Sequence, residues 1–139
     1  MVNAKSSLKF KNYVVDSIDF KSNLDYSGTE TELDFDIDSE FKFEEDTFIL
    51  RLEISIFKDA KQNNYPFSMR VSLLGLFEFD SDLNIETRTV FAEQNAIAIL
   101  FPYLRAMISV YSSNANIGTI LLPPINVVKY LENKRKNRS

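Results

Sequence analysis

From Leu33 to Phe43 apolar side chains fall at every second place, Leu33, Phe35, Ile37, Phe41 and Phe43, with Asp34, Asp36, Asp38, Glu40 and Lys42 between them. A period of two places alternate side chains on opposite faces, so this segment reads as a strand with one dry and one wet side. Thr47 to Phe57 repeats the pattern, with Phe48, Leu50, Leu52, Ile54 and Ile56 opposite Arg51, Glu53 and Ser55. Phe67, Met69, Val71, Leu73, Gly75, Phe77 and Phe79 keep the same spacing, but Leu74 and Leu76 fall on the wet side. That strand either exposes apolar groups or is buried on both faces. Upstream, Leu8 to Phe20 alternates at both ends and changes phase near Tyr13-Val14-Val15, as a long strand with a bulge does. Asn23 to Thr31, with Tyr26-Ser27-Gly28, reads as a crossover or turn, and Lys58 to Tyr65 as a loop.

After Asp80-Ser81-Asp82 the period becomes helical. Ile97, Leu100, Phe101, Leu104, Ile108 and Tyr111 recur at steps of three and four, and Ile99, Tyr103, Met107 and Val110 add a second stripe, which predicts a helix buried almost all round. Pro102 kinks it or starts a new segment, and Asn114 to Gly118 end it. Ile120-Leu121-Leu122-Pro123-Pro124 is an extended link, with Pro124 placed as the first residue of a final helix to about Arg135. The expected fold is α+β: a four-stranded antiparallel sheet, a meander with a crossover, followed by a long helix and a short C-terminal helix. One domain spans 1–139, with a basic, fraying tail at 134–139. Such a chain carries more apolar surface than one small domain can cover, and an oligomer is the natural remedy.

Composition narrows the chemistry. The 139 residues include no Cys and no His. Thiolate and imidazole metal ligands, Cys nucleophiles and every triad with a His base are therefore excluded. No enzyme, cofactor or metal is expected. Zero Cys fits a reducing cytosol, and Met1 to Ser7 lacks an apolar signal core, so a cytoplasmic protein that neither is exported nor enters a membrane is expected. The net charge is −4, but residues 129–139 hold five Lys or Arg and one Glu, leaving about −8 on the body. An acidic body repels phosphate backbones, so nucleic acid is not an expected partner. Asp34, Asp36, Asp38 and Glu40, with Glu45 at the twelfth place, copy the ligand spacing of a calcium loop. Ser39 stands where that loop needs Gly, and the intervening Phe and Ile residues demand a strand, so an acidic solvent face is the better reading.

Ile99-Leu100-Phe101-Pro102-Tyr103-Leu104-Arg105, followed by Leu121-Leu122-Pro123-Pro124-Ile125-Asn126, resembles the SecB export-chaperone family. There an I-L-F-P-Y-x-R motif opens the long helix and an L-x-P-[VI]-N link leads into the last one. Phe101, Pro102, Tyr103, Arg105, Pro124 and Asn126 carry the resemblance and are the expected motif and oligomer-helix residues. The resemblance implies a dimer or dimer of dimers that holds unfolded polypeptide or preprotein clients in apolar grooves. Phe67, Met69, Val71 and Leu73, the Asn23 to Thr31 crossover, and Tyr130 and Leu131 are the implied groove or groove-supporting positions. It also implies the translocase motor SecA as a partner. Ser17, Lys21 and Arg70, however, stand near positions that are acidic in the family's SecA-docking face, which weakens the export expectation and leaves a dedicated client, such as an antitoxin, as the alternative reading.

Two further readings compete: an oligomeric adaptor whose apolar surplus is consumed by its own interfaces, and a carboxylate or metal enzyme. The first is separated by whether apolar surface remains to protect an unfolded client, the second by calcium binding that vanishes in Asp36→Asn.

Overall fold

The structure, a computed structural model, describes residues 8–79, 84–117 and 120–138. Expectations placed on the amino terminus, on Asp80-Ser81-Asp82, on Gly118 and on Ser139 lie outside the described residues. Alternation becomes one antiparallel sheet: β1 (Leu8–Ser22), β2 (Phe35–Glu44), β3 (Thr47–Ile56) and β4 (Phe67–Phe79), in the order β1-β4-β3-β2. The last three form the meander, and the 23–34 segment carries the chain from the β1 edge to the β2 edge. β1 follows β4 along its whole length with register shifts at Phe10/Asn12 and Val15/Ser17. The second lies just after the phase change seen in the sequence, because an extra residue flips the face of everything beyond it. The 58–65 loop contains a single helical turn, α1 (Ala60–Asn63).

The even apolar registers stack into one dry face. Leu50 opposes Gly75, Leu52 opposes Leu73, Ile54 opposes Val71 and Ile56 opposes Met69. On this face lies a helical stretch made of α2 (Ile85–Phe91), a π-turn (Ala92–Ala96) and α3 (Ile97–Asn114). The helix thus starts well before the apolar stripe that announced it. Asn84 caps α2 by accepting from the Thr87 amide at 2.8 Å. Arg88 ties α2 to the β2–β3 turn through Asp46 at 2.8 Å and lies over the Phe79 ring. Ile97, Leu100, Phe101, Leu104 and Ile108 of α3 are buried against β3 and β4. Gly75 permits the close approach: a Cβ there would meet Phe77 Cε1 at 2.9 Å and Leu100 Cδ2 at 3.1 Å. The 30-residue stretch from Ile85 to Asn114 is long and apolar enough to cross a membrane by length and composition. Here its inner stripe packs on the sheet instead.

Four expectations need correction. α3 is not buried all round: Tyr103 and Val110 of its second stripe stand 40% and 59% exposed, because a two-layer fold offers a helix only one apolar neighbour. Pro102 lies inside α3, on its exposed side, and starts nothing. The last helix, α4 (Val127–Arg138), begins three residues after Pro124, and residues 134–138 are its final turns rather than a tail. Phe67, Met69, Val71 and Leu73 are core, none more than 5% exposed, since they share the face that α3 covers. They belong to the core beneath α3 and line no open surface.

Candidate functional site

Two of the motif residues, Arg105 and Asn126, help to place α4. Arg105 donates to the Leu122 carbonyl at 3.2 Å, Ser109 to the Ile120 carbonyl at 3.1 Å, and the Ile120 amide to Ser112 Oγ at 2.8 Å. Three side chains of α3 thereby stitch down the extended link. Ser112 is fully buried and is satisfied by this contact. It sits one step of four beyond Leu104 and Ile108 on the dry stripe, and a polar residue on that stripe was the signal that a backbone partner waited there. Asn126 then accepts from the Lys129 amide at 3.1 Å and caps α4. Phe101 is buried, and Tyr103 lies against Tyr13 and Phe10 of β1, with ring centroids at 4.6 and 5.6 Å. Pro124 is exposed.

So placed, α4 lies along the outer edge of β2. Val127 and Leu131 are its buried apolar anchors, and the Tyr130 ring stacks on Phe35 at 6.2 Å. The polar contacts are denser. Tyr130 Oη donates to Asp36 at 2.9 Å and accepts from the Ile37 amide at 3.3 Å. Lys134 Nζ donates at 2.7 Å to both Asp36 and Asp38 and at 3.0 Å to the Ile37 carbonyl. Lys58 reaches Asp36 from the other side at 3.0 Å. Partial burial pushes the Asp36 carboxyl up, but the hydrogen bonds from Lys134, Lys58 and Tyr130 outweigh it and bring the group from 3.8 down to about 2. The Lys134 ammonium, disfavoured by burial, is held above its ordinary value by the two carboxylates. In the sequence Asp36 and Asp38 belong to the calcium-like spacing and Lys134 to the basic end, and nothing there joins the two.

Beyond the reach of α4, the same side of β2 carries half-exposed aromatics. Phe41 and Phe43 stack at 5.9 Å, and Phe43, 50% exposed, leans on Phe48 and Phe79 at 5.3 and 6.4 Å. With Phe35 and Tyr130 they form an aromatic margin along β2. Of the expected groove residues, Tyr130 is on this margin, Leu131 anchors the helix above it, and the four β4 residues lie beneath the sheet centre. The opposite face of the sheet is open. It bears the apolar neighbours Val14, Ile49, Leu74 and Leu76, as the misplaced leucines of β4 foretold. Around them charges are paired: Arg70 with Asp19 at 3.0 Å, and Arg51 with Asp16 at 3.3 Å and Glu53 at 3.9 Å. Among the described residues no cluster of acids is arranged to hold a metal ion, and the calcium-like spacing lies on β2 as a strand. Arg135 pairs with Glu93 at 2.8 Å, so the basic end is partly absorbed by the fold.

Comparison with known proteins agrees with this architecture. Uncharacterized protein MJ0357 of Methanocaldococcus jannaschii is 37% identical over 133 residues, which cover 93% of this chain and 85% of that protein. Among solved structures, the Mycobacterium tuberculosis Rv1957 SecB-like chaperone in complex with a ChAD peptide from the Rv1956 HigA1 antitoxin superposes with a TM-score of 0.69. Its identity is 12%, over 87% of this chain and 89% of that one. A protein of unknown function from Streptococcus agalactiae gives a TM-score of 0.52 at 12% identity, over 84% and 97%. These two share the fold. The family described as Preprotein translocase subunit SecB matches residues 11–138, nearly the whole sheet and both motif segments. The chain therefore belongs to the SecB family.

Proposed function

We propose that this protein is a non-enzymatic holdase chaperone that keeps non-native polypeptide on the aromatic margin of β2. The observation that carries the reading is that margin itself: Phe35, Phe41, Phe43 and Tyr130 remain part-exposed in a family whose name is tied to preprotein handling. Aromatic side chains give large, sequence-tolerant contact area, which is what binding of many unfolded segments requires. The assembly proposed is a homo-oligomer, a dimer or dimer of dimers. The free edge of β1 and the exposed Tyr103 and Val110 of α3 are the surfaces left for it.

The open face favours a dedicated client over export. Its acids Asp16 and Asp19 are engaged by Arg51 and Arg70, so an acidic platform of the kind that SecA docking calls for is largely neutralised. The structural neighbour from Mycobacterium tuberculosis is complexed with a peptide from an antitoxin, and a client of that sort suits this chain. The test is suppression of aggregation of a chemically unfolded protein at equimolar ratio. Protection is expected, and Phe43→Ser should weaken it about tenfold with the fold intact, since burying one such side chain contributes about 1.5–3 kcal/mol. An oligomer that forms normally yet gives no protection would favour the adaptor reading, in which the apolar surplus serves assembly alone.

A further inference from the structure

The outer edge of β2 is occupied by side chains at one residue. In an antiparallel strand, backbone groups alternate between facing one neighbour and the other. Those of Ile37 face away from β3, and a partner strand would normally meet them. Here Tyr130 Oη takes the amide and Lys134 Nζ takes the carbonyl. By the same alternation the next outward pairs belong to Ser39 and Phe41, beside the exposed aromatics. α4 thus does at Ile37 what an added strand would do, and it also seats a cation between Asp36 and Asp38. These two carboxylates are two residues apart and point to one face, where a strand pairing with β2 would present its own side chains.

The cover is built to yield. α4 has only 12 residues, a length at which an isolated helix is marginal in water, and among its described side chains Val127 and Leu131 are the deeply buried ones. Detaching it would not release the link, which Arg105, Ser109 and Ser112 hold to α3.

We propose that α4 is a displaceable strap on the edge of β2. An extended client segment bearing a Lys or Arg among apolar residues replaces it, pairs its backbone with β2 from Ile37 toward Phe41, and puts its cation between Asp36 and Asp38. This rests on the chaperone reading and adds to it a recognition chemistry and a built-in competitor. A long exposed edge invites uncontrolled pairing, and the strap keeps the Ile37 position of this one filled until a client of matching charge arrives.

The experiment measures binding of a short fluorescein-labelled peptide that alternates lysine with valine and phenylalanine, by anisotropy, to the full chain. Lys134→Met should tighten it by about 5- to 10-fold, because freeing a site that a competitor fills about nine-tenths of the time returns a factor near ten. Arg135→Met, which loses the pair with Glu93 but leaves Lys134 on Asp36, Asp38 and the Ile37 carbonyl, should change it less than about twofold. The chain has no cysteine. Phe35→Cys with Tyr130→Cys can therefore be bridged by a short bismaleimide, which should abolish peptide binding relative to the same protein unbridged. Replacing lysine by glutamate in the peptide should also abolish it. Equal affinity for wild type, Lys134→Met and the bridged protein overturns the strap, while aggregation suppression by the wild type would leave the chaperone reading standing. A wild type that neither suppresses aggregation nor binds the peptide overturns both. If Lys134→Met does not fold, the bridged and unbridged pair decides alone.

Discussion

The centre of the sheet and its β2 margin are both covered by helices, but by opposite means. α3 meets β3 and β4 through apolar groups: Leu100 and Leu104 share one core cluster with Leu52 and Leu73, and Leu100 comes close to the bare Cα of Gly75. α4 meets β2 through a hydroxyl, an ammonium and two carboxylates, with two apolar anchors behind them. An apolar seal is indifferent to pH and salt, and opening it costs the whole fold. A part-exposed ionic contact is weak, screened and titratable. The chain therefore keeps its stability where nothing need move and leaves the adjustable contact at the margin where a client would enter.

The largest effect that can break this contrast lies at the centre. Phe77 is fully buried, with Phe48 and Phe10 rings at 5.1 and 5.2 Å. Phe77→Ala should cost about 3–5 kcal/mol, the usual range for emptying such a site. A lower midpoint of urea unfolding at unchanged slope would show it. A loss below about 1 kcal/mol would mean that the centre is loosely packed and that the two coverings do not differ in kind.

A smaller effect should appear at the margin. Asn126→Ala removes the cap of α4, worth about 1 kcal/mol in comparable helices. The contrast predicts that the loss is local: amide exchange at Ile37 should quicken about fivefold, while amides of Leu52 and Leu73 and the melting temperature barely change. A uniform rise in exchange across the sheet would show that α4 and the centre unfold as one unit.

The two regions also differed in how far they could be read in advance. The centre was legible because its contacts obey local periods: the four strands and the dry stripe of α3 were placed within a few residues. Alternation shows which residues share a face, however, and not which face a helix will cover. Phe67, Met69, Val71 and Leu73, which the resemblance implies as groove or groove-supporting positions, are core because α3 covers their face. The margin was not legible. Lys134 and Asp36 meet across 98 residues, and in sequence one looked like a tail and the other like a solvent face. The start of α4 was misplaced because Pro124 suits a first helical position, while Asn126, directly before Val127-Val128, was the stronger cap signal. The motif residues were recognised by resemblance, but their work, Arg105 on the link and Asn126 at the helix start, became visible only from the hydrogen bonds.

The smallest effect is the most specific to the latch. Asp36 has its pKa lowered from 3.8 to about 2 in the folded protein, so its contribution is complete above the higher value and disappears as pH falls through the lower one. Lys134 and Tyr130 are both raised above their ordinary values, so they add nothing to this acid window and stay protonated through neutral pH. Asp38 and Lys58 lie around the same carboxylate. Protection of the Ile37 amide, corrected for intrinsic exchange, should therefore fall between about pH 4 and 2 while that of Leu52 and Leu73 holds. Other carboxylates titrate in the same range, and Asp36→Asn separates them. Its Ile37 amide should already be less protected at neutral pH and should lose less on acidification, and the difference between the two proteins is the share of Asp36. If instead both titrate alike, the hydroxyl of Tyr130 and the anchors Val127 and Leu131 hold α4 without the charges. The margin would then be a seal of the same kind as the centre, and salt should leave client affinity unchanged.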